Sequence, residues 1–559
     1  MNSEYDVIIV GSGGGALAAA ITARLGGSSA LVIEKTPLLG GATALSGGGV
    51  WIPDNVFLRE AGVKDSAHDI WAYLQATVGN RVAPERLRAY VEHGQAMMQL
   101  FHDRTRHMRF SHMPGYSDYY PERPGGKPQG RSVEPLLFDL NLLGETAKRL
   151  RPPNMDTKGF AVGGTVFHDV NMLTRTWSGK VAALKMGVET VISMLSGKKL
   201  SALGQALVGR LLASLKDLGG MEDVYTDTAF VRLLTEGDRV SGVTVRGPDG
   251  QERQIRARRG VLLAAGGFSQ SQPKRERYLP QPTQAEWSSA PEGQSGDILG
   301  ECLRLGAALD LMERVWGAPT AMLGGQPAFL VAERAQPGMI IVNSVGERYL
   351  NEALPYHEFV DRMYASDRPE ARTVPSWLVM DRKIKDRYIF GGLFPGQPFP
   401  KEWLESGDVL RADTLSELAR LMNMAPAALE ATVRRFNALA RAGVDVDFGR
   451  GQSAYDRYYG DPSLPNPNLE EILTPPFYAT RVYPGDIGTK GGVLTDEWAR
   501  VLRENGQPIA GLYATGNCAS AVMGETYPGP GATIGPSMAF GYAAVQHMLG
   551  GQPLQSAAR

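Results

Sequence analysis

The chain has 559 residues, of which 43% are hydrophobic and 21% charged, an ordinary globular composition with room for roughly two to four domains. Its formal net charge of −1 gives no global field to attract nucleic acid or a strongly charged substrate, so no nucleic-acid partner is expected. The two cysteines, Cys302 and Cys518, argue against a disulfide framework or a thiolate metal site and fit a reducing compartment; no metal is expected.

The opening residues lead straight into an apolar run, with no basic-then-apolar leader, and no stretch reads as a membrane span. The expected location is the cytoplasm. Tyr5 to Val10 is apolar throughout, as in a strand covered on both faces. Gly11-Ser12-Gly13-Gly14-Gly15-Ala16 follows, then an alanine-rich helix to about Leu25 and a second strand, Ala30 to Ile33, ending at Glu34. In this βαβ unit the first glycine permits a tight turn, the second lets the backbone approach a pyrophosphate, and Ala16 lets helix pack closely on strand. The helix N-terminus offers free N–H groups to the phosphate, and Glu34 stands where a carboxylate accepts from a ribose diol.

Three further segments favour FAD over a nicotinamide cofactor. Glu34-Lys35 continues to Gly41-Ala42-Thr43; Ala264-Ala265-Gly266-Gly267 is a second close backbone approach; Gly511 to Gly516-Asn517 is a third. A buried flavin needs contacts along its length, so the chain must return to it. Each glycine pair alone would read as a plain turn; the joint pattern carries the argument.

Further along, helical stretches extend to about Asp103, and Tyr116 to Arg131 reads as loop. Ser201 to Leu218 is an amphipathic helix. Phe230 to Arg258 alternates in strands around Gly247-Pro248-Asp249-Gly250, and Gly260 to Gly267 is another buried strand. From 311 to 487 the glycine fingerprints stop, and strands mix with helices. Gly511 to Gly516 is again strand then glycine, followed by a helix to the C-terminus. The expected fold class is α/β: a Rossmann-like FAD-binding domain, discontinuous over 1–310 and 488–559, with an inserted α+β substrate (capping) domain at 311–487.

The run from Gly40 to Pro53 (GGATALSGGGVWIP), Tyr116 to Pro121 (YSDYYP), Asn351 to Tyr356 (NEALPY), Gly488 to Gly492 (GTKGG) and Tyr527 to Gly531 (YPGPG) add a further layer. Together they resemble the fumarate reductase/succinate dehydrogenase flavoprotein superfamily and, within it, the 3-ketosteroid Δ1-dehydrogenases, over nearly the whole length. Dicarboxylate members clamp substrate carboxylates with arginine and histidine; here the matching positions are tyrosines. None of the eight histidines matches a covalent flavin attachment, so the FAD is expected to be non-covalent. Ser46, Gly47, Gly48, Asp297, Gly531 and Ile534 complete the expected FAD contacts.

The resemblance implies FAD-dependent 1,2-desaturation of the A-ring of a 3-ketosteroid, with an external electron acceptor, a quinone or another. The carbon-2 proton is acidic because it is α to the ketone. The resemblance makes Tyr356 its base and Tyr119 the hydrogen-bonded assistant. Tyr527 and the Gly531 N–H become the donors to the ketone oxygen, with Tyr116 lining the same entrance. A tyrosine base needs help, since a free phenol has a pKa of about 10. Asp118 and His357 are expected to be solvated or structural. A Δ4-(5α)-dehydrogenase of the same architecture, a fumarate-reductase-like enzyme on another substrate and a non-enzymatic flavin-binding protein are the alternatives.

Between about 170 and 200 the chain is longer than compact members of the family. Trp177, Val181, Leu184, Val188, Val191 and Leu195 recur at helical spacing, flanked by Arg175, Lys180, Lys185, Lys198 and Lys199 with Glu189 the only acid. Two readings stand open: a basic amphipathic helix in peripheral contact with the cell membrane, or a helix packed on its own domain or another subunit.

Overall fold

The computed structural model describes residues 1–154, 163–551 and Leu554. An eight-stranded sheet has Arg500–Leu502, Pro508–Ala514, Glu252–Leu263, Glu4–Val10, Ala30–Ile33 and Val224–Tyr225 in that spatial order; Arg239–Arg246 and Ala229–Glu236 extend it antiparallel from the first half of Glu252–Leu263. Its central pairs are parallel. Val7, Ile8 and Ile9 have no exposed surface, which accounts for the unbroken apolar run. One face carries the helix Gly14–Leu25, packed against Ile534–Met548 and Leu203–Asp217. The first two helices meet at glycines: a Cβ on Gly541 would lie 2.2 Å from the Gly15 carbonyl oxygen.

The register of this sheet places the site. Val10 stands opposite both Ile33 and Leu263, and Leu263 opposite Ala514. All four strands therefore end level, and the turns at Gly11, Glu34, Ala264 and Thr515 open at one carboxyl edge, where open α/β sheets bind their ligands.

The second sheet is antiparallel throughout: Gln326–Phe329, Val315–Leu323, Phe477–Thr489, Ser376–Asp381 and Met339–Val342, with Val409–Ala412 also on Phe477–Thr489. Its long strand runs on to Thr489, past 487, because Thr489 still pairs with Val315. Leu309–Asp310 then pairs with Gly492–Val493 in a separate two-stranded sheet, so the chain goes to the second sheet and comes back from it through adjacent strands.

The Tyr116–Arg131 loop joins Phe110–His112 to Ser132–Pro135, which form a small three-stranded sheet with Val50–Trp51 that the residue pattern did not announce. The last helix ends at Met548, and residues 555–559 lie outside the described part.

The helix Trp177–Leu195 is capped by the Thr176 hydroxyl, which accepts from the Gly179 N–H. Gly179, Met186 and Ser193 form its inner face. The apolar stripe points the other way: Trp177 is 78%, Leu184 69% and Leu195 84% exposed. Val188 and Val191 are exposed as well, so most of the stripe faces away from its own domain, with Val181 half-buried. No described helix is long and apolar enough to cross a membrane.

Candidate active site

A single cavity of about 860 Å³ runs from the carboxyl edge of the parallel sheet to the antiparallel sheet. Its first part is main chain. The Gly13 side of the helix Gly14–Leu25 has no side-chain cap; only the Gly14 N–H is taken, by the Thr43 hydroxyl. The remaining first-turn N–H groups suit a phosphate. Gly11 has φ +110°, and a Cβ there would sit 2.2 Å from the Ala264 carbonyl oxygen, so only glycine lets these two turns approach. Glu34 is fixed by the Ser12 hydroxyl at 2.6 Å and the Thr36 N–H at 3.0 Å. Lys35 bonds Asp297 at 2.6 Å across the wall. Burial opposes the Asp297 charge, but Lys35 and Ser295 outweigh it and hold its carboxyl below the usual range.

Of the residues expected to contact FAD, Ser12, Gly13, Gly14, Gly15, Ala16, Gly41, Ala42, Thr43, Ser46, Gly47, Gly48, Ala265, Gly266, Gly516, Asn517 and Ile534 line this cavity with Gly11, Glu34, Lys35, Ala264, Asp297 and Gly531. Gly267 is not part of the wall. A Cβ on it would meet Thr489 Oγ1 at 2.0 Å, so it is a packing glycine. The wall also includes Thr36, Gln205, Thr228, Gln294 and Ser537, polar residues without a glycine signature. A continuous groove, an open helix N-terminus and a ribose-ready carboxylate fit FAD.

The second part of the cavity is aromatic. Tyr119, Tyr356 and Tyr527 pack mutually edge to face, with ring centroids 5.0 to 5.5 Å apart. The Tyr119 hydroxyl donates to the Tyr356 hydroxyl at 2.9 Å. Each tyrosine has its own support. The Tyr119 N–H donates to the Pro528 carbonyl at 2.9 Å, tying the first tyrosine loop to the last. Asp118 is fully buried, not solvated: it accepts from Trp51 Nε1 at 2.8 Å, from the Lys127 N–H and from Arg131, which also pairs with Asp65. Tyr356 opens the helix Tyr356–Ser366; just before it, Glu352 is buried between Arg348 and Arg450, and Asn351 donates to Asp456 at 2.8 Å.

Burial pushes the phenols of Tyr119 and Tyr356 well above their ordinary value. The hydrogen bond from Tyr119 works against this at Tyr356 and favours its anion. Burial also raises Tyr527, while Thr533, Tyr356 and the Gly531 N–H, all close to its hydroxyl, ease its ionisation. Gly531 has φ +95°, and a Cβ would meet the Gly49 carbonyl oxygen at 2.3 Å. Tyr116 lines the same cavity beside the trio: it accepts from Tyr459 at 2.7 Å, stacks on Tyr458 at 4.4 Å and, though raised by burial, has its ionisation eased by the Tyr119 hydroxyl. His357 is buried and kept neutral by burial, with Nε2 at 2.9 Å from the Tyr120 hydroxyl. Trp316, which residue type alone did not single out, packs on Tyr527 at 4.8 Å and donates to Asn517 at 3.2 Å.

A level row of strand ends, a phosphate-binding turn and a long groove ending in polarised side chains define a flavoprotein oxidoreductase that binds FAD. Residues 6–534 match the model of the FAD binding domain family. A 3-oxosteroid 1-dehydrogenase of Mycolicibacterium smegmatis is 46% identical over 97% of this chain and 96% of its own. A 4-oxocyclohexanecarboxylate 2-dehydrogenase of Sinomonas cyclohexanicum is 36% identical over 98% of this chain and 93% of its own. The crystal structure of 3-ketosteroid delta1-dehydrogenase from Sterolibacterium denitrificans, solved with 1,4-androstadiene-3,17-dione, superposes with a TM-score of 0.93 at 40% identity, covering 99% of this chain and 100% of that one. The chain belongs to the FAD-dependent 3-oxosteroid 1-dehydrogenase family.

Proposed function

We propose that this protein introduces a 1,2 double bond into the A-ring of 3-ketosteroids. The observation that carries the reading is the hydrogen-bonded pair Tyr119–Tyr356 set against Tyr527 and Gly531 on one cavity wall. Desaturation next to a ketone needs a base for the α-proton and donors for the oxygen that gains charge. Tyr527 and the Gly531 N–H hold the ketone oxygen and receive that charge. Tyr356, as the anion that the Tyr119 hydrogen bond favours, takes the carbon-2 proton, and the proton returns to solvent through Tyr119, which gives up its own hydroxyl proton as it takes that of Tyr356. Bound FAD supplies the two-electron acceptor for the hydrogen of carbon 1. Trp316, Phe329, Val331, Tyr458 and Ile487 surround the rest of the space with rings and aliphatic groups, which suits a fused hydrocarbon skeleton and excludes water.

The test is incubation with androst-4-ene-3,17-dione and an artificial electron acceptor. A 1,4-diene product supports the reading. A new double bond elsewhere, or no flavin reduction under anaerobic conditions, overturns it.

The exposed stripe of Trp177–Leu195 supports a second element: peripheral contact with a membrane. The same helix lends Met186 to the cavity wall beside Phe167 and Val170, so a lipid-facing surface would adjoin the space for a lipid-soluble substrate. An external acceptor of the quinone class would meet the protein at that surface.

A further inference from the structure

Lys490 is a buried amine with no carboxylate at ion-pair distance among the described residues. It follows Thr489, and its backbone is tied on both sides: its N–H donates to the Arg314 carbonyl at 2.9 Å, and its carbonyl accepts from the Ala521 N–H at 3.0 Å. Its side chain is 2% exposed. Nζ donates to the carbonyls of Glu525 at 2.6 Å and Thr526 at 2.9 Å, the two residues directly before Tyr527. It also lies 4.6 Å from the Trp316 ring, which packs on Tyr527. The charged and titratable groups around it are few. Asp361 and His357 face it from the helix Tyr356–Ser366, and Arg314 from the turn before Val315–Leu323. Glu525 is engaged by Arg314 at 2.6 Å and Arg81 at 3.4 Å. Arg86 lines, with Lys490 and Trp316, a second, small cavity. An ammonium in such a place is costly unless its charge is used.

We propose that Lys490 is a positioning residue for the oxyanion site: it clamps the Glu525–Thr526 carbonyls, aims Tyr527, and holds a positive charge behind the atoms that become negative. The inference rests on the enolate chemistry proposed above. Geometry supplies both parts of it. The two carbonyl bonds leave the turn into Tyr527 little freedom. The charge lies against one face of the Trp316 indole, which also packs on Tyr527, in a low-dielectric interior. Burial pushes the Lys490 ammonium down to about 7, so its charge is present below neutral pH and fades above it. An arginine would keep the charge throughout.

The experiment compares Lys490→Met, Lys490→Arg and Tyr527→Phe holoenzymes. Three readouts are taken: FAD content, steroid dissociation constant from flavin absorbance, and exchange of the carbon-2 proton with deuterated solvent. A fourth is the ionisation of bound estrone, whose phenolic A-ring mimics the enolate, followed by ultraviolet absorbance against pH. Lys490→Met should keep its FAD and bind steroid within about threefold, yet lose roughly ten- to a hundredfold in exchange and raise the pKa of bound estrone by about one. Lys490→Arg should restore both, with less loss on the alkaline side than the wild type. Where Lys490→Arg loses FAD, ethylammonium added to Lys490→Ala replaces it as the rescue. Normal exchange and estrone ionisation in Lys490→Met overturn the proposal, as does loss of steroid binding in step with exchange, or failure of the rescue. If Tyr527→Phe also exchanges at the normal rate, the oxyanion reading itself has failed; if only Lys490→Met does, the oxyanion reading stands without Lys490.

Discussion

The two ends of the cavity are built differently. At the cofactor end much of the wall is main chain, at strand ends whose turns carry glycines at Gly11, Gly266 and Gly516, with Glu34 as a side-chain exception. Register does the assembly: Val10, Ile33, Leu263 and Ala514 finish level, so their turns converge without further specification. At the tyrosine end, side chains make the contacts, and they come from segments hundreds of residues apart. Tyr119 and Tyr356 touch across 237 positions, and the Tyr119 N–H donates to Pro528, the residue after Tyr527. A site made of backbone tolerates side-chain change and punishes a Cβ. A site made of side chains does the reverse.

The largest expected effect falls on the tyrosine end. Tyr356→Phe keeps the ring but removes the proposed base, and should abolish both flavin reduction and carbon-2 exchange, a loss of about a thousandfold or more. Tyr119→Phe should slow both by about tenfold to a hundredfold, since it assists Tyr356 through one hydrogen bond. If Tyr356→Phe exchanges normally while Tyr119→Phe does not, the roles are reversed. If neither variant affects exchange, the base is elsewhere.

Next comes Tyr527→Phe, which removes one of the two proposed donors and should cost about 3–4 kcal/mol of barrier, a hundred- to a thousandfold in turnover. FAD content should stay at the wild-type level, because Tyr527 belongs to the other end. The converse substitution is Gly11→Ala. Its Cβ would collide with the Ala264 carbonyl, and its φ is strained for alanine. The purified variant should carry at most a tenth of the wild-type FAD, with fluorescence after acid precipitation as the measure. Acid should release the wild-type flavin in full if attachment is non-covalent. Full occupancy in Gly11→Ala would remove the contrast between the two ends.

A milder effect comes from pH. Burial raises the Tyr356 phenol above its ordinary value, so the ionised base is scarce at neutral pH and grows as pH rises. Below the raised value, turnover limited by proton removal should climb by up to about tenfold per pH unit. Saturating Lys490 deprotonation works in the opposite sense from about 7 upward and should flatten the rise. A profile that falls steadily through the alkaline range would contradict a tyrosine base.

Legibility in the sequence follows the same division. The βαβ unit, Glu34 and the returning glycines could be placed from residue types alone, since a tight turn, a close approach and a short apolar strand each leave a local mark. Gly267 shows the limit: it carries the same mark for packing against Thr489. The tyrosines could be picked out by family resemblance, yet residue type gave no sign that Tyr119 and Tyr356 touch, that Asp118 is locked by Arg131, or that Tyr116 belongs to a stack with Tyr458. Lys490 lay within a quoted motif and still showed nothing of its role, because a lysine in sequence reads as surface and only the fold buries it. Polar FAD-groove residues such as Thr228 and Gln205 have no pattern by which to find them.

The smallest expected effect on catalysis belongs to a region outside both ends. The helix Trp177–Leu195 turns Met186 inward and leaves Trp177, Leu184 and Val188 at 78%, 69% and 49% exposure. Exposed side chains contribute little to folding, so replacing these three by Ser should change stability by only about 0.5 kcal/mol each. Turnover of a dissolved steroid should stay within about twofold, because none of the three lines the cavity. Binding to lipid is different. Trp and Leu side chains entering an interface gain of the order of 1 kcal/mol each, so the triple variant should bind anionic vesicles at least tenfold more weakly in a sedimentation assay. Salt should weaken the wild-type binding as well, through Lys185, Lys198 and Lys199. Two results would break this reading. If the wild-type protein never sediments with vesicles, the stripe has another occupant. If instead the triple variant changes the oligomeric state seen by light scattering, that occupant is a second copy of the chain, and the face that looks lipid-directed is a subunit interface.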